Sequence, residues 1–318
     1  MILFILMWSL TSSIIMAISS TSMFSLWICM EINMMMFIPL MNSKNASSSN
    51  SMLLYFTIQA TASSLFIFSF FFLWLNPLMD FFFNNLITSA ILMKLGAAPF
   101  HFWFPQVSEG LSFFSFFTLT IFQKIIPLYI LAFSNNMMLL LSIFFSSVIG
   151  PLGGWNQISI RKIIAFSSIS HLAWIISIIK ISSNWWILYF FIYSMILASL
   201  FLILQKKNTS HLTQINYFSS EINKFSLIII LLSLGGMPPL LGFTLKWLSI
   251  KIISLNFPVL LIFLIPSSLL NLYFYLRILY PFFLKKFQKN HLFYSNEKKS
   301  TIWMLIHWFS LFFFIPLI

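Results

Sequence analysis

The sequence predicts an all-α polytopic membrane protein, and three observations lead to that fold class. Of its 318 residues, 60% are hydrophobic and 7% are charged, whereas soluble domains carry about 45–50% apolar and about 25% charged residues. The mean hydropathy is +0.98. The apolar residues also form long runs, and a helix needs about 20 of them to cross roughly 30 Å of hydrocarbon. Together these features exclude a water-soluble fold.

About eleven transmembrane helices are predicted from these runs. They lie at residues 2–19, 22–41, 52–75, 81–98, 111–133, 137–155, 160–180, 185–205, 225–255, 258–280 and 302–318. The ninth run is too long for one crossing and contains two prolines behind two glycines, so its helix must be broken. No charged stretch and no small-residue cleavage site accompanies the first run, so we expect no cleaved signal peptide.

The loop charges predict an orientation. The chain has 17 Lys and Arg against five Asp and Glu, a net charge of +12. If the helices alternate, eleven basic residues fall on the side of the N-terminus and two on the other side. The eleven are Lys44, Arg161, Lys162, Lys206, Lys207, Lys224, Lys285, Lys286, Lys289, Lys298 and Lys299, and the two are Lys180 and Lys251. Because basic loops stay inside, we expect an inside N-terminus and an outside C-terminus. These sparse charges form no basic face, so we expect membrane lipids and no nucleic acid as partners.

Five ionisable side chains fall inside the predicted spans. They are Glu31, Lys94, Lys124, His171 and Lys246. Inserting each charged side chain at membrane depth costs at least ~2.5–3.5 kcal/mol, so we expect each to have a partner or a function. A carboxylate and a lysine in low dielectric hold each other charged and shift each other's proton occupancy, which favours a proton relay.

Simpler readings of these residues stay open. A single Lys–Glu pair can be a structural clamp between helices, and Lys124 can snorkel if the fifth span is shifted. His171 can be a hydrogen-bonded core histidine, and His101 can cap backbone as well as carry protons. Three buried lysines against one carboxylate, however, cannot all be clamped in pairs.

Two helix breaks are predicted at membrane depth. Their glycines and prolines are Gly96 and Pro99 in the first, and Gly235, Gly236, Pro238 and Pro239 in the second. Unwound backbone is tolerated there only inside protein or beside water, and it marks ion pathways in transporters. The breaks fall at corresponding positions of helices 1–5 and 6–10. This predicts two inverted five-helix repeats, at 1–133 and 134–280, then a basic loop and a C-terminal helix at 281–318; chance kinks are the alternative.

Five motifs then occur in order. They are MEIN at 30–33, KLGAAPFHFWFP at 94–105, QKIIP at 123–127, SISHLAW at 168–174 and LGGMPPLLGF at 234–243. Together they resemble the chain 2 family of mitochondrial NADH–ubiquinone oxidoreductase, respiratory complex I, in the short form of animals. The resemblance covers about residues 20 to 280. It implies an antiporter-like membrane-arm subunit of the inner mitochondrial membrane, with its N-terminus in the matrix, its C-terminus in the intermembrane space and other membrane-arm chains beside it.

The resemblance also implies roles for the buried residues. Glu31 and Lys94 match the coupled pair of the first half-channel, and Lys124 matches the lysine that links the halves. Lys246 matches the lysine of the outlet-side half, and His171 matches a histidine on the path between them. NADH, FMN, iron–sulfur clusters and ubiquinone would bind other subunits, so this chain would have no catalytic, cofactor or metal site. Accordingly, no Gly-x-Gly-x-x-Gly fingerprint opens a helix, and there is only one cysteine.

Three other functions are weighed against this one. A stand-alone cation/proton antiporter would share the helix arrangement and the buried lysines. A membrane-embedded enzyme such as a lipid acyltransferase would need a cluster of His and carboxylates at one interface, and the five acids here are scattered. A purely structural assembly subunit would pump normally after Lys94→Met.

Overall fold

The chain is built from helices. The computed structural model describes residues 1–43, 45–75, 77–181, 183–205 and 221–284, and no strand occurs among them. The helices are α1 (Ile2–Ser19), α2 (Met23–Met41), α3 (Ala46–Leu75), α4 (Asp80–Leu95), α5 (Trp103–Gly110), α6 (Phe113–Thr120), α7 (Phe122–Leu131), α8 (Met137–Gly154), α9 (Ile160–Lys180), α10 (Trp185–Gln205), α11 (Glu221–Gly235), α12 (Leu241–Asn256) and α13 (Leu261–Leu284). The predicted all-α class is confirmed.

Seven segments of the described chain are long and apolar enough to cross a membrane. They are Met23–Met41, Ala46–Leu75, Phe113–Leu131, Met137–Gly154, Ile160–Lys180, Trp185–Gln205 and Pro258–Tyr280. The apolar parts of α1 and α11 are shorter. The polytopic membrane class is therefore confirmed, whereas the total of eleven spans stays a prediction. The last predicted span, 302–318, and most of the basic loop residues lie outside the described residues.

Several predicted spans differ from the observed helices, for example 81–98, whose helix α4 ends at Leu95. The helix predicted at 52–75 begins earlier, at Ala46, because a polar, serine-rich turn precedes the apolar run. There the Ser48 hydroxyl donates to the Asn45 carbonyl oxygen at 2.7 Å and accepts from the Asn45 N–H at 3.3 Å. The span predicted at 111–133 is observed as Phe113–Leu131, and its helix is interrupted at Ile121, between α6 and α7. At that point the Lys124 N–H bonds the Ile121 carbonyl, a three-residue step that breaks the regular ladder.

Helix α9 forms the centre of the fold. It packs against α5, α6, α8, α10, α12 and α13, and nearly all of its side chains from Ile163 to Ile179 are buried. A helix that is apolar and buried all round must be surrounded by other protein segments rather than by lipid. Polar groups on α9 are therefore shielded from both lipid and bulk water, and His171 lies in the middle of this helix.

Candidate functional site

The first helix break follows from one glycine. At the end of α4, Gly96 adopts φ +68°, a left-handed conformation that glycine reaches without a Cβ clash. Its N–H bonds the Met93 carbonyl at 3.1 Å, and the next N–H, of Ala97, reaches back to the Leu92 carbonyl at 3.1 Å. This pair of bonds is the Schellman pattern that ends a helix. The predicted break is observed at this position.

Neutral side chains bond to backbone carbonyls at this break. The Gln59 amide on α3 donates to the Lys94 carbonyl at 3.2 Å, and the Trp103 indole donates to the Met93 carbonyl at 3.0 Å. The His101 ring nitrogen Nδ1 lies 3.2 Å from the Pro99 carbonyl oxygen. Since a carbonyl can only accept, that nitrogen donates, and His101 caps backbone within the break.

The second break repeats the same backbone pattern. Gly236 has φ +78°, and its N–H bonds the Ser233 carbonyl at 3.0 Å. The N–H of Met237 reaches back to the Leu232 carbonyl at 3.1 Å. Helix α11 therefore ends with the same two bonds, at the same spacing from its left-handed glycine, as α4. The second predicted break is also observed.

A lysine supplies the side-chain donor at the second break. The Lys246 ammonium on α12 donates to the Gly235 carbonyl at 2.6 Å, and Lys246 is 7% exposed. A Cβ on Gly236 would lie 2.7 Å from Lys246 Cδ and 2.9 Å from its Nζ. Position 236 thus requires glycine both for its backbone conformation and for the space that the lysine occupies.

Glu31 and Lys94 lie near each other without touching. Lys94 is buried and Glu31 is partly buried, and within the described residues the two make no ion pair of 4.0 Å or less. The Glu31 carboxylate nevertheless acts electrostatically on the Lys94 ammonium and on the Tyr55 hydroxyl. A proton bound at one of these groups therefore changes the energy of a charge at the other.

A hydrogen-bonded bridge that the sequence reasoning missed joins three helices here. The Tyr55 hydroxyl on α3 donates to Gln123 Oε1 at 3.0 Å. The same Gln123 amide donates through Nε2 to Asn33 Oδ1 on α2, also at 3.0 Å. Asn33 and Gln123 occur in the same motifs as Glu31 and Lys124, so the sequence could have indicated them as site residues. Nothing in the sequence distinguishes Tyr55. The bridge connects the surroundings of Glu31 to the helix that carries Lys124.

Lys124 is the most isolated of the buried lysines. It is 2% exposed, and its Nζ has no hydrogen-bond partner among the described groups. The ammonium lies over the Phe104 ring, 4.7 Å from the ring centroid. A ring face attracts a cation without accepting a proton, so this contact holds the ammonium while leaving its protons free. Snorkelling of Lys124 is excluded by this burial.

His171 lies near buried lysines from both predicted repeats, Lys124 and Lys246. It is 4% exposed, its Nδ1 lies 3.0 Å from the Tyr189 hydroxyl, and its ring packs on Tyr193 at 4.7 Å between centroids. Both Lys124 and Lys246 act electrostatically on it. Its Nε2 has no hydrogen-bond partner among the described residues, so one ring nitrogen is anchored and the other is available. Such a ring can take up a proton on one side and release it on the other.

The chain is similar in sequence to a known family over most of its length. The sequence model of the NADH:quinone oxidoreductase/Mrp antiporter transmembrane family matches residues 20–271. The chain belongs to this antiporter family. Curated relatives are named NADH-ubiquinone oxidoreductase chain 2. The one from Anopheles gambiae is 41% identical over 92% of this chain and 90% of its own length, and the one from Rhipicephalus sanguineus is 40% identical over 95% and 96%.

Solved structures of membrane complexes contain chains with the same fold. A chain of respiratory complex I from Thermus thermophilus superposes with a TM-score of 0.85 at 19% identity, over 97% of this chain and 76% of that chain. A chain of the Mrp complex from Dietzia gives a TM-score of 0.78 at 18% identity, over 88% of this chain and 60% of that chain. At these identities the likeness concerns the arrangement of helices, and it extends to chains of two different membrane complexes.

Proposed function

We propose that the chain is a membrane-arm subunit of respiratory complex I in the inner mitochondrial membrane, where it contributes to proton translocation coupled to NADH oxidation by ubiquinone. The observation that carries the proposal is the position of His171 within electrostatic reach of both Lys124 and Lys246. Buried bases in series let a proton move in short steps, each step changing the charge felt by the next group. The names of the curated relatives support the assembly.

The proposed relay has two halves and a centre. Glu31 and Lys94 form the coupled pair of the first half, and the bridge from Tyr55 through Gln123 to Asn33 links it to α7. Lys124 and His171 form the centre. Lys246 is the outlet-side lysine, and its bond to the Gly235 carbonyl holds it at the second break.

The proposed architecture has eleven spans in two inverted five-helix repeats, at 1–133 and 134–280, followed by the segment 281–318. The corresponding positions of the two breaks, at Gly96 and Gly236, in helices 1–5 and 6–10 support the repeat. The positive-inside bias supports an N-terminus in the matrix and a C-terminus in the intermembrane space.

The redox chemistry is proposed to take place in other subunits. NADH, FMN, iron–sulfur clusters and ubiquinone would bind there, and this chain would act within the NADH:ubiquinone reductase through proton movement alone. Among the described residues, no group of three or more His, Cys, Asp and Glu is placed to hold a metal ion. Its partners would be neighbouring membrane-arm chains, including antiporter-like ones, and lipids, without nucleic acid.

A stand-alone cation/proton antiporter is the second candidate, favoured by the likeness to a chain of the Mrp complex. Native-gel fractionation of mitochondrial membranes from the source, with NADH dehydrogenase staining and mass spectrometry for this chain, separates the two. Comigration with a very large NADH-oxidising band supports the complex I proposal. Migration in a small assembly, together with proton transport by the purified chain in vesicles, would favour the antiporter instead.

A further inference from the structure

A second buried polar cluster lies between α9 and α13, outside the proposed relay. Asn271 and Tyr275 stand one turn apart on α13 and are 1% and 0% exposed, so they lie on the same face of that helix. The Asn271 amide donates through Nδ2 to the Ser170 hydroxyl on α9 at 2.6 Å. The Tyr275 hydroxyl faces the Ser167 side chain, one turn before His171.

Two polar atoms of this cluster have no partner within the described chain. They are Asn271 Oδ1 and the Tyr275 hydroxyl oxygen. Ser167 and Ser170 cannot supply a proton to Asn271 Oδ1, because their hydroxyls already donate to backbone carbonyls of α9 at 2.8 and 2.7 Å. Buried polar atoms are almost always hydrogen-bonded, to ordered water when not to protein. An acceptor and a donor that face the same seam meet the needs of a bridging water.

The cluster is continuous with His171. Tyr275 lies near Tyr189 and Tyr193, and those two tyrosines contact the His171 ring. Tyr193 has a hydroxyl without a hydrogen-bond partner in the described residues, as His171 has its Nε2. Unpartnered polar atoms therefore occur both beside His171 and at the α9–α13 seam.

We propose that Asn271, Tyr275, Ser167 and Ser170 form a binding site for internal water, which extends the relay from His171 towards the end of α9 that begins at Ile160. The proposal rests on the proposed function and adds to it a second branch. Water there accepts from the Tyr275 hydroxyl and donates to Asn271 Oδ1 or to a serine oxygen. A chain of such waters passes one proton in at one end and one out at the other, with no other change in the groups that line it.

The direct test is a cryo-EM map of the native assembly at a resolution that shows ordered water. The proposal predicts density within hydrogen-bond distance of both Asn271 Oδ1 and the Tyr275 hydroxyl. A map in which these atoms bond protein groups, with no density between the helices, would overturn it. This observation needs no variant and is independent of whether any substitution assembles.

A functional test compares Tyr275→Phe with Tyr273→Phe. Both remove one hydroxyl from α13, but Tyr273 is 48% exposed and keeps its ring contact with Trp155 as phenylalanine. Loss of one hydrogen bond in the branch should slow NADH:ubiquinone turnover about 2- to 10-fold in Tyr275→Phe, with Tyr273→Phe at the wild-type rate. Rates are normalised to NADH oxidation by an artificial acceptor, so that the amount of assembled complex cancels.

A third variant separates the two proposals. Normal coupled turnover in Lys246→Met would contradict the proposed function itself. Slow turnover in Lys246→Met with a wild-type rate in Tyr275→Phe would overturn only the water branch.

Discussion

The two helix breaks have the same backbone conformation but differ in the side chains that bond to it. Each ends in a left-handed glycine, Gly96 or Gly236, followed by the same two reverse hydrogen bonds. At the first break the side-chain donors are neutral, Gln59 to the Lys94 carbonyl and Trp103 to the Met93 carbonyl. At the second break the donor is the Lys246 ammonium, bound to the Gly235 carbonyl.

This difference indicates two kinds of buried lysine. Gln59 bonds the carbonyl of Lys94, and the Lys94 ammonium responds to its burial and to the nearby Glu31 carboxylate, so its charge depends on another ionisable group. Lys246 lies against the C-terminal end of α11, where helix carbonyls carry partial negative charge that favours a cation. Its charge and the geometry of the break therefore depend on each other, which is not the case at the first break.

The largest expected effect belongs to Lys246→Met. The substitution removes a proton carrier and also leaves the Gly235 carbonyl unpartnered, so we expect coupled NADH:ubiquinone turnover to fall roughly 100-fold. We also expect the free energy of unfolding to fall by about 1–3 kcal/mol. Lys251→Met is the matched control, because Lys251 is exposed on the same helix. Equal rates in the two variants would contradict the account.

The coupled pair of the first half is tested by a double-mutant cycle. Glu31→Gln and Lys94→Met should each lower coupled turnover about tenfold, which corresponds to about 1.4 kcal/mol in the activation barrier. Because each residue acts through the other, the double variant should be no slower than the slower single variant. Fully additive losses would mean that the two residues act independently despite their electrostatic contact.

Gln59→Leu sharpens the contrast between the breaks. It leaves the Lys94 carbonyl unpartnered while retaining the lysine side chain. We therefore expect the free energy of unfolding to fall by about 1–3 kcal/mol. The ratio of protons moved to electrons transferred should stay at the wild-type value in the complex that assembles. A lowered ratio would show that Lys94 also depends on the geometry of its break.

Much of this site could be predicted from composition and motif. A charge inside a run of 20 apolar residues is visible without a structure, which is how Lys94, Lys124, His171 and Lys246 were found, and the structure buries all four. Glycine beside proline at membrane depth predicted both breaks, since few other sequences interrupt a helix there. These signals are local in the chain.

The partners were not predictable, because they come from contacts distant in sequence. Tyr55 meets Gln123 across 68 positions, and Asn271 meets Ser170 across 101. Nothing in the motif around 234–243 indicates that Lys246 bonds back to Gly235, because that requires the chain to turn between α11 and α12. The interruption at Ile121 was missed for another reason, since no glycine or proline marks that residue.

The central claim is that buried charges in this chain move protons, and Lys124→Met tests it most directly. The Lys124 ammonium has no hydrogen-bond partner in the described chain, and Met is similar in length, so the change removes the charge and orphans no other group. The measurement is the number of protons moved per electron by the assembled complex in sealed vesicles. The account predicts a lower ratio than in the wild-type complex. An unchanged ratio at a normal turnover rate would contradict it.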